Sequence, residues 1–214
     1  FSDPIADGPI IQASYYRALI KGAKVAHVLD MVSELRKKSE IPIVSMVSYS
    51  TVFKKGYSKF IENSVMSGLD GLTIPDLPVE ENQEIFEIAR RNDFKVVCFI
   101  APTTTDQRVS LITQKAQGFL YYISVVGITG IRDKLPDDII QNINKLKQMT
   151  NIPVAVGFGV STSEHAKLIG TVADGVIVGS AIMREIEKYA KEPSEELVRG
   201  VGEFVGQLIS GAKG

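Results

Sequence analysis

Ile152-Pro153-Val154-Ala155-Val156 and Gly175-Val176-Ile177-Val178 are two apolar runs, and each leads straight into a glycine turn, Gly157-Phe158-Gly159 and Gly179-Ser180. Runs so continuous in Val and Ile are what a parallel strand covered on both faces requires. Further strands read at Ile41–Val47, Gly71–Ile74, Lys95–Ile100 and Gly118–Ser124. Between them the apolar spacing turns helical: Phe60, Ile61 and Val65; Ile85, Ile88 and Ala89; Ile139, Ile143 and Leu146; Leu197, Val201, Phe204, Val205 and Leu208. Ser161 to Glu164 has the spacing of a capping box, and Pro136-Asp137-Asp138 sets acids at a helix's positive end. This alternation leaves an open doubly wound sheet or a (β/α)8 barrel. An open dinucleotide fold would carry G-x-G-x-x-G after its first strand, whereas these glycine turns follow the last two, where barrels hold phosphates. The expected fold class is α/β, a (β/α)8 TIM barrel.

A barrel needs eight strands and about 250 residues, and only six runs occur in these 214 residues. Residues 1–214 are therefore expected to form a single barrel domain lacking its first two strands, the opening strand-helix-strand segment. Roughly 50 residues would precede Phe1, at about 30 per βα unit. A barrel with two open sheet edges is expected to be inactive by itself and prone to association.

Composition narrows the partners. With 24 basic against 25 acidic side chains, a net charge of −1 and no long basic run, nucleic acid is an unsuitable partner. No apolar run reaches the ~20 residues of a membrane span. The one cysteine, Cys98, lies inside Val96-Val97-Cys98-Phe99-Ile100 and reads as a core thiol, in keeping with a cytoplasmic protein. No His/Cys/carboxylate spacing points to a metal. His27 and His165 read as packing or surface residues in helices away from the strand ends, and Glu80-Glu81 as favouring a helix start.

In a barrel the residues just after each strand share one rim. That rim would gather Asp3 and Asp7 of Phe1-Ser2-Asp3-Pro4-Ile5-Ala6-Asp7-Gly8-Pro9, the Tyr49-Ser50-Thr51 turn, Pro75-Asp76-Leu77-Pro78, Ala101-Pro102-Thr103, the loop Val125–Leu135 and the two glycine turns. Gly157-Phe158-Gly159 and Gly179-Ser180, with a helix starting near Ala181, would form a backbone cradle for phosphate; each alone would serve equally as a tight turn. The 11-residue Val125–Leu135 connection, with Gly127-Ile128-Thr129-Gly130 and a charged tip, reads as a closing lid or as a mobile surface loop. Asp7 fits a catalytic acid, and it also fits a turn residue bonding its own backbone before Gly8-Pro9.

FSDPIADGP, PDLPVEE, YYISVVGITG, VGFGVS and VGSAI, in this order from Phe1 to about Ile182, resemble the tryptophan synthase α chain family. The resemblance implies a barrel lyase in tryptophan biosynthesis that cleaves indole-3-glycerol phosphate to indole and glyceraldehyde 3-phosphate by a retro-aldol reaction. It implies no cofactor of the chain's own, with PLP only in a partner β chain, and an α2β2 heterotetramer. Residue by residue, Asp7 would hold the indole N–H, Tyr121 would line the pocket and Thr129 would orient the aspartate. Backbone groups at Gly130, Gly159, Gly179 and Ser180 would hold the phosphate, with Phe158 beside the substrate. Asp3 and Pro4 would face the β chain. The family's catalytic glutamate belongs a few residues ahead of FSDP, outside this chain. Val125-Val126 and Tyr49-Ser50-Thr51 depart from the family's usual lid approach and Asn-bearing turn.

Two other functions compete. Another phosphate-binding barrel, an isomerase or epimerase, is disfavoured by Asp7 in its ADGP loop and by the lack of a Lys, Cys or metal set at a strand end. A non-catalytic barrel that only binds, or only activates a β chain, is the third.

Overall fold

The computed structural model describes residues 7–81, 83–124, 136, 138–157 and 159–213. Helices α1 (Pro9–Ile20) and α2 (Val25–Arg36) precede β1 (Val44–Met46), α3 (Tyr49–Lys55), α4 (Tyr57–Ser67) and β2 (Gly71–Thr73). The alternation continues through α5 (Gln83–Arg91), β3 (Lys95–Ile100), α6 (Asp106–Lys115), β4 (Leu120–Ile123) and α7 (Ile139–Met149). It ends with β5 (Val154–Gly157), α8 (Ser163–Gly170), β6 (Gly175–Val176), α9 (Ser180–Lys188) and α10 (Ser194–Lys213).

All six strands are parallel and lie in sequence order, β1-β2-β3-β4-β5-β6. A doubly wound sheet reverses its order at a switch point, and this one never does, so the units progress in one direction as the wall of a barrel does. Side chains of period 2 split the strands into two faces. Leu72, Ile74, Val96, Cys98, Ile100, Leu120, Tyr122, Val154 and Val156 join Ile61, Ile85, Ile112, Ile143 and Ile169 from the helices in one core. Thr73, Val97, Phe99, Tyr121 and Ala155 take the opposite face. Burial in the helix-side core pushes the Cys98 thiol up to about 12, which makes it a packing residue at neutral pH.

Two matching clamps fix the lower ends of the strands. Asp70 Oδ2 accepts from Arg36 Nη2 at 2.6 Å and from the backbone N–H of Ile43 at 2.7 Å. Asp174 accepts from Lys147 Nζ at 2.7 Å and from the backbone N–H of Val154 at 2.8 Å. Each aspartate sits just before a strand, ties the start of the preceding strand and holds a cation from the helix before that.

Most strands are shorter than the runs expected from sequence, β1 being Val44–Met46 within Ile41–Val47, and three boundary shifts have a visible cause. Gly118 has φ +77, a left-handed turn, so β4 starts at Leu120. Tyr49-Ser50-Thr51 is the first turn of α3 and not a free turn, because Asp76 Oδ1 accepts the Tyr49 N–H at 2.8 Å from a different loop. The cap of α8 is Thr162, whose hydroxyl accepts from His165 N at 3.2 Å, one residue later than the Ser161 to Glu164 box.

Candidate active site

The upper strand ends gather the candidate site residues. Gly8 is the N-cap of α1, and Pro9 supplies the fixed φ of its first turn. The Asp7 carbonyl accepts from Gln12 Nε2 at 2.6 Å, which ties this loop to its helix. The Asp7 carboxylate reaches further. Burial first, and then the Asp7 charge, raise the Tyr15 hydroxyl and push Tyr121 up to about 12. Asp7 and Tyr121, far apart in sequence, therefore share one electrostatic environment, with the phenol kept neutral.

Tyr121 is 7% exposed on β4. Its ring meets Phe99 of β3 at a centroid distance of 4.8 Å and an interplanar angle of 32°. Its other side covers Gly157, where an added Cβ would lie 2.5 Å from both Cε2 and Oη. Glycine at 157 is thus a packing requirement set by the tyrosine.

The two glycine turns come from paired strands β5 and β6. Gly159 has φ +85 and needs glycine for its backbone. Gly179, the N-cap of α9, has φ −114 and open space where a Cβ would stand, so neither conformation nor packing demands glycine there. Ser180 begins α9 and is buried. A helix N-terminus beside a glycine turn offers backbone donors and partial positive charge to an anion. His165 stands in the first turn of α8, with Ser161 Oγ 3.4 Å from its Nδ1, nearer the strand ends than its sequence position implied.

The structure therefore sets Asp7 near enough for its charge to be felt at the buried Tyr121, and puts Gly159, Gly179 and Ser180 on neighbouring upper ends. Asp3, Pro4, Thr129, Gly130 and Phe158 lie outside the described residues. Phe99 is the residue that sequence reasoning passed over, and Gly157, read there as part of a glycine turn, has its reason in the Tyr121 ring. The signal for Phe99 was alternation: Val96, Cys98 and Ile100 occupy the helix side, which leaves Phe99 for the other. Among the described residues, no group of His, Cys, Asp and Glu could hold a metal ion, and no helix is long and apolar enough to cross a membrane.

A family model described as tryptophan synthase alpha chain matches residues 1–211. The chain belongs to the tryptophan synthase alpha chain family. A tryptophan synthase alpha chain from Thermoanaerobacter sp. (strain X514) is 44% identical over 209 residues, covering 97% of this chain and 78% of the relative. One from Pyrococcus abyssi is 44% identical over 207 residues, covering 96% and 84%. Among solved structures, the alpha subunit of Legionella pneumophila superposes with TM-score 0.90 at 31% identity, over 100% of this chain and 79% of that one. A structure of the tryptophan synthase complex of Pyrococcus furiosus superposes with TM-score 0.85 at 39% identity, over 96% and 83%. The six-stranded sheet is accordingly the sheet of this family's barrel, and the family is one of lyases in tryptophan synthesis.

Proposed function

We propose that this chain supplies the indole-3-glycerol phosphate lyase reaction of its family, with Asp7 and Tyr121 at the indole and the Gly179–Ser180 end of α9 at the phosphate. The observation that carries this reading is the shared environment of Asp7 and Tyr121, on the strand ends that also present Gly159, Gly179 and Ser180. Cleavage begins with protonation of indole C3, which leaves positive charge at the ring nitrogen. A carboxylate aimed at that N–H stabilises it as it forms. The C3–C1′ bond then breaks, its electrons return to the ring, and the hydroxyl on C1′ becomes the aldehyde as it loses its proton. Those proton transfers need a second carboxylate. In this reading those transfers fall to the family's glutamate.

Neutral Tyr121 lines the indole pocket. Thr129 orients Asp7, Phe158 packs beside the substrate, and Gly130 joins the phosphate cradle. Nothing in this step calls for a cofactor, and PLP is assigned to the β chain. One of the Pyrococcus furiosus structures, with TM-score 0.86 and 40% identity, is described as an a2b2 complex, which supports an α2β2 assembly here with Asp3 and Pro4 toward the partner. The setting that suits such an enzyme is the cytoplasm. Incubation of the full-length protein with indole-3-glycerol phosphate, with and without a β chain, tests the reading through indole release. Indole in both cases, more with the partner, supports it; binding without indole in either case overturns it.

A further inference from the structure

One level of the inner sheet face is unevenly filled. Register pairs Phe99 with Tyr121, Tyr121 with Ala155 and Ala155 with Gly175. Two aromatic rings thus stand beside a methyl group and a bare backbone at the same height. Val97 below them is 2% exposed. Above, Gly157 leaves room only for the Tyr121 ring that already covers it. Tyr121 is held on both sides, by Phe99 at 4.8 Å and by the Gly157 backbone.

We infer that Phe99 determines which ring-substituted indoles the pocket accepts, by filling the aromatic half of this level and fixing the Tyr121 ring against Gly157. The inference rests on the indole reading of the site given above. A planar bicycle seated toward Ala155 and Gly175 meets the Phe99–Tyr121 wall with its edge or face, and any group added to its benzo ring must displace one of the two rings. Tyr121 cannot retreat, because Gly157 lies directly behind it. Phe99 is the adjustable member, and a shorter side chain there opens space and frees the Tyr121 ring together.

The test uses the full-length protein and an unreactive ligand, 3-(indol-3-yl)propyl phosphate, which lacks the hydroxyl that cleavage requires. Its benzo-methylated derivatives and glycerol 3-phosphate complete the set, with affinities measured by calorimetry. The native protein is expected to prefer the unsubstituted ligand by about tenfold, a penalty of ~1.4 kcal/mol, within the range for overfilling a packed site. Phe99→Leu is expected to erase most of that preference while glycerol 3-phosphate binds within about twofold of native. Ala155→Val, which narrows the level from the other side, is expected to sharpen the preference, and it decides the matter if Phe99→Leu does not fold. An unchanged preference in a folded Phe99→Leu protein overturns the inference, and so does an unchanged preference in Ala155→Val. Native protein that binds glycerol 3-phosphate but no indole ligand overturns the indole reading itself, a different result.

Discussion

Tyr121 and Gly157 occupy each other's space: the tyrosine ring lies where the side chain of residue 157 would begin, 2.5 Å from an added Cβ. Gly157→Ala is therefore expected to destabilise the protein by about 1–3 kcal/mol, the range for overpacking a filled site, and to move the ring off its place. Tyr121→Phe should not relieve it, because Cε2 remains. Tyr121→Leu should restore most of the lost stability in the double variant. Urea unfolding of the three single and two double variants checks this. Equal losses that simply add would show that the pair does not interact.

Gly179 offers open space and an ordinary φ, so Gly179→Asp is expected to fold normally. A carboxylate there faces the bound phosphate, and glycerol 3-phosphate affinity should fall at least about tenfold, or ~1.4 kcal/mol. Calorimetric titration reads it directly. Native affinity in the folded variant would remove Gly179 from the cradle.

Asp7→Asn keeps the size and loses the charge. Since that charge is needed when the ring nitrogen turns positive, turnover should fall by about two orders of magnitude or more, with KM changing by less than about threefold. Steady-state kinetics of indole release separates the two parameters. A loss confined to KM would leave Asp7 as a binding or turn residue.

At the lower ends of the strands, the Lys147 ammonium first, and then the Val154 N–H, hold the Asp174 carboxyl below its ordinary value. A carboxyl lowered in the folded state contributes stability above the unfolded value of about 4 and gives it up as pH falls through the folded one. Both side chains are about two-fifths exposed (38% and 40%), so screening limits the contribution to less than about 1 kcal/mol. Asp174→Asn should lower the urea midpoint at neutral pH, and the gap to the native protein should narrow as pH drops below about 4. A gap constant across that range would show that the carboxylate contributes nothing as a charge.

The six strands were legible because β-branched runs with two buried faces leave few alternatives, and the last two glycine turns stood out for the same reason. Boundaries failed where a distant group decides them. The first turn of α3 depends on Asp76, 27 residues away, which no local pattern around Tyr49 announces. Ser161 and Thr162 both offer a hydroxyl with capping spacing, and only the chain path after Gly159 selects the second. Within the site, Asp7 was legible as an acid in a rigid loop, but the reach of its charge to Tyr121, far along the chain, has no local signal. The need for glycine at 157 lies in a ring on the neighbouring strand, so the sequence of the turn alone could not separate it from Gly179, whose surroundings are empty.

The clamps hand an amide at the foot of a strand to a carboxylate, Ile43 just before β1 to Asp70 and Val154 at the start of β5 to Asp174, where the ladder above relies on carbonyls. Salt weakens such a bond by screening the cation that steadies the carboxylate, while the neutral ladder above is indifferent to it. Deuterium should thus enter at Ile43 and Val154 sooner in high salt than at Leu72 or Val156, and the strands would fray from below. The proposed site stands at the opposite rim, so this molecule can breathe at its base without disturbing the mouth assigned to substrate.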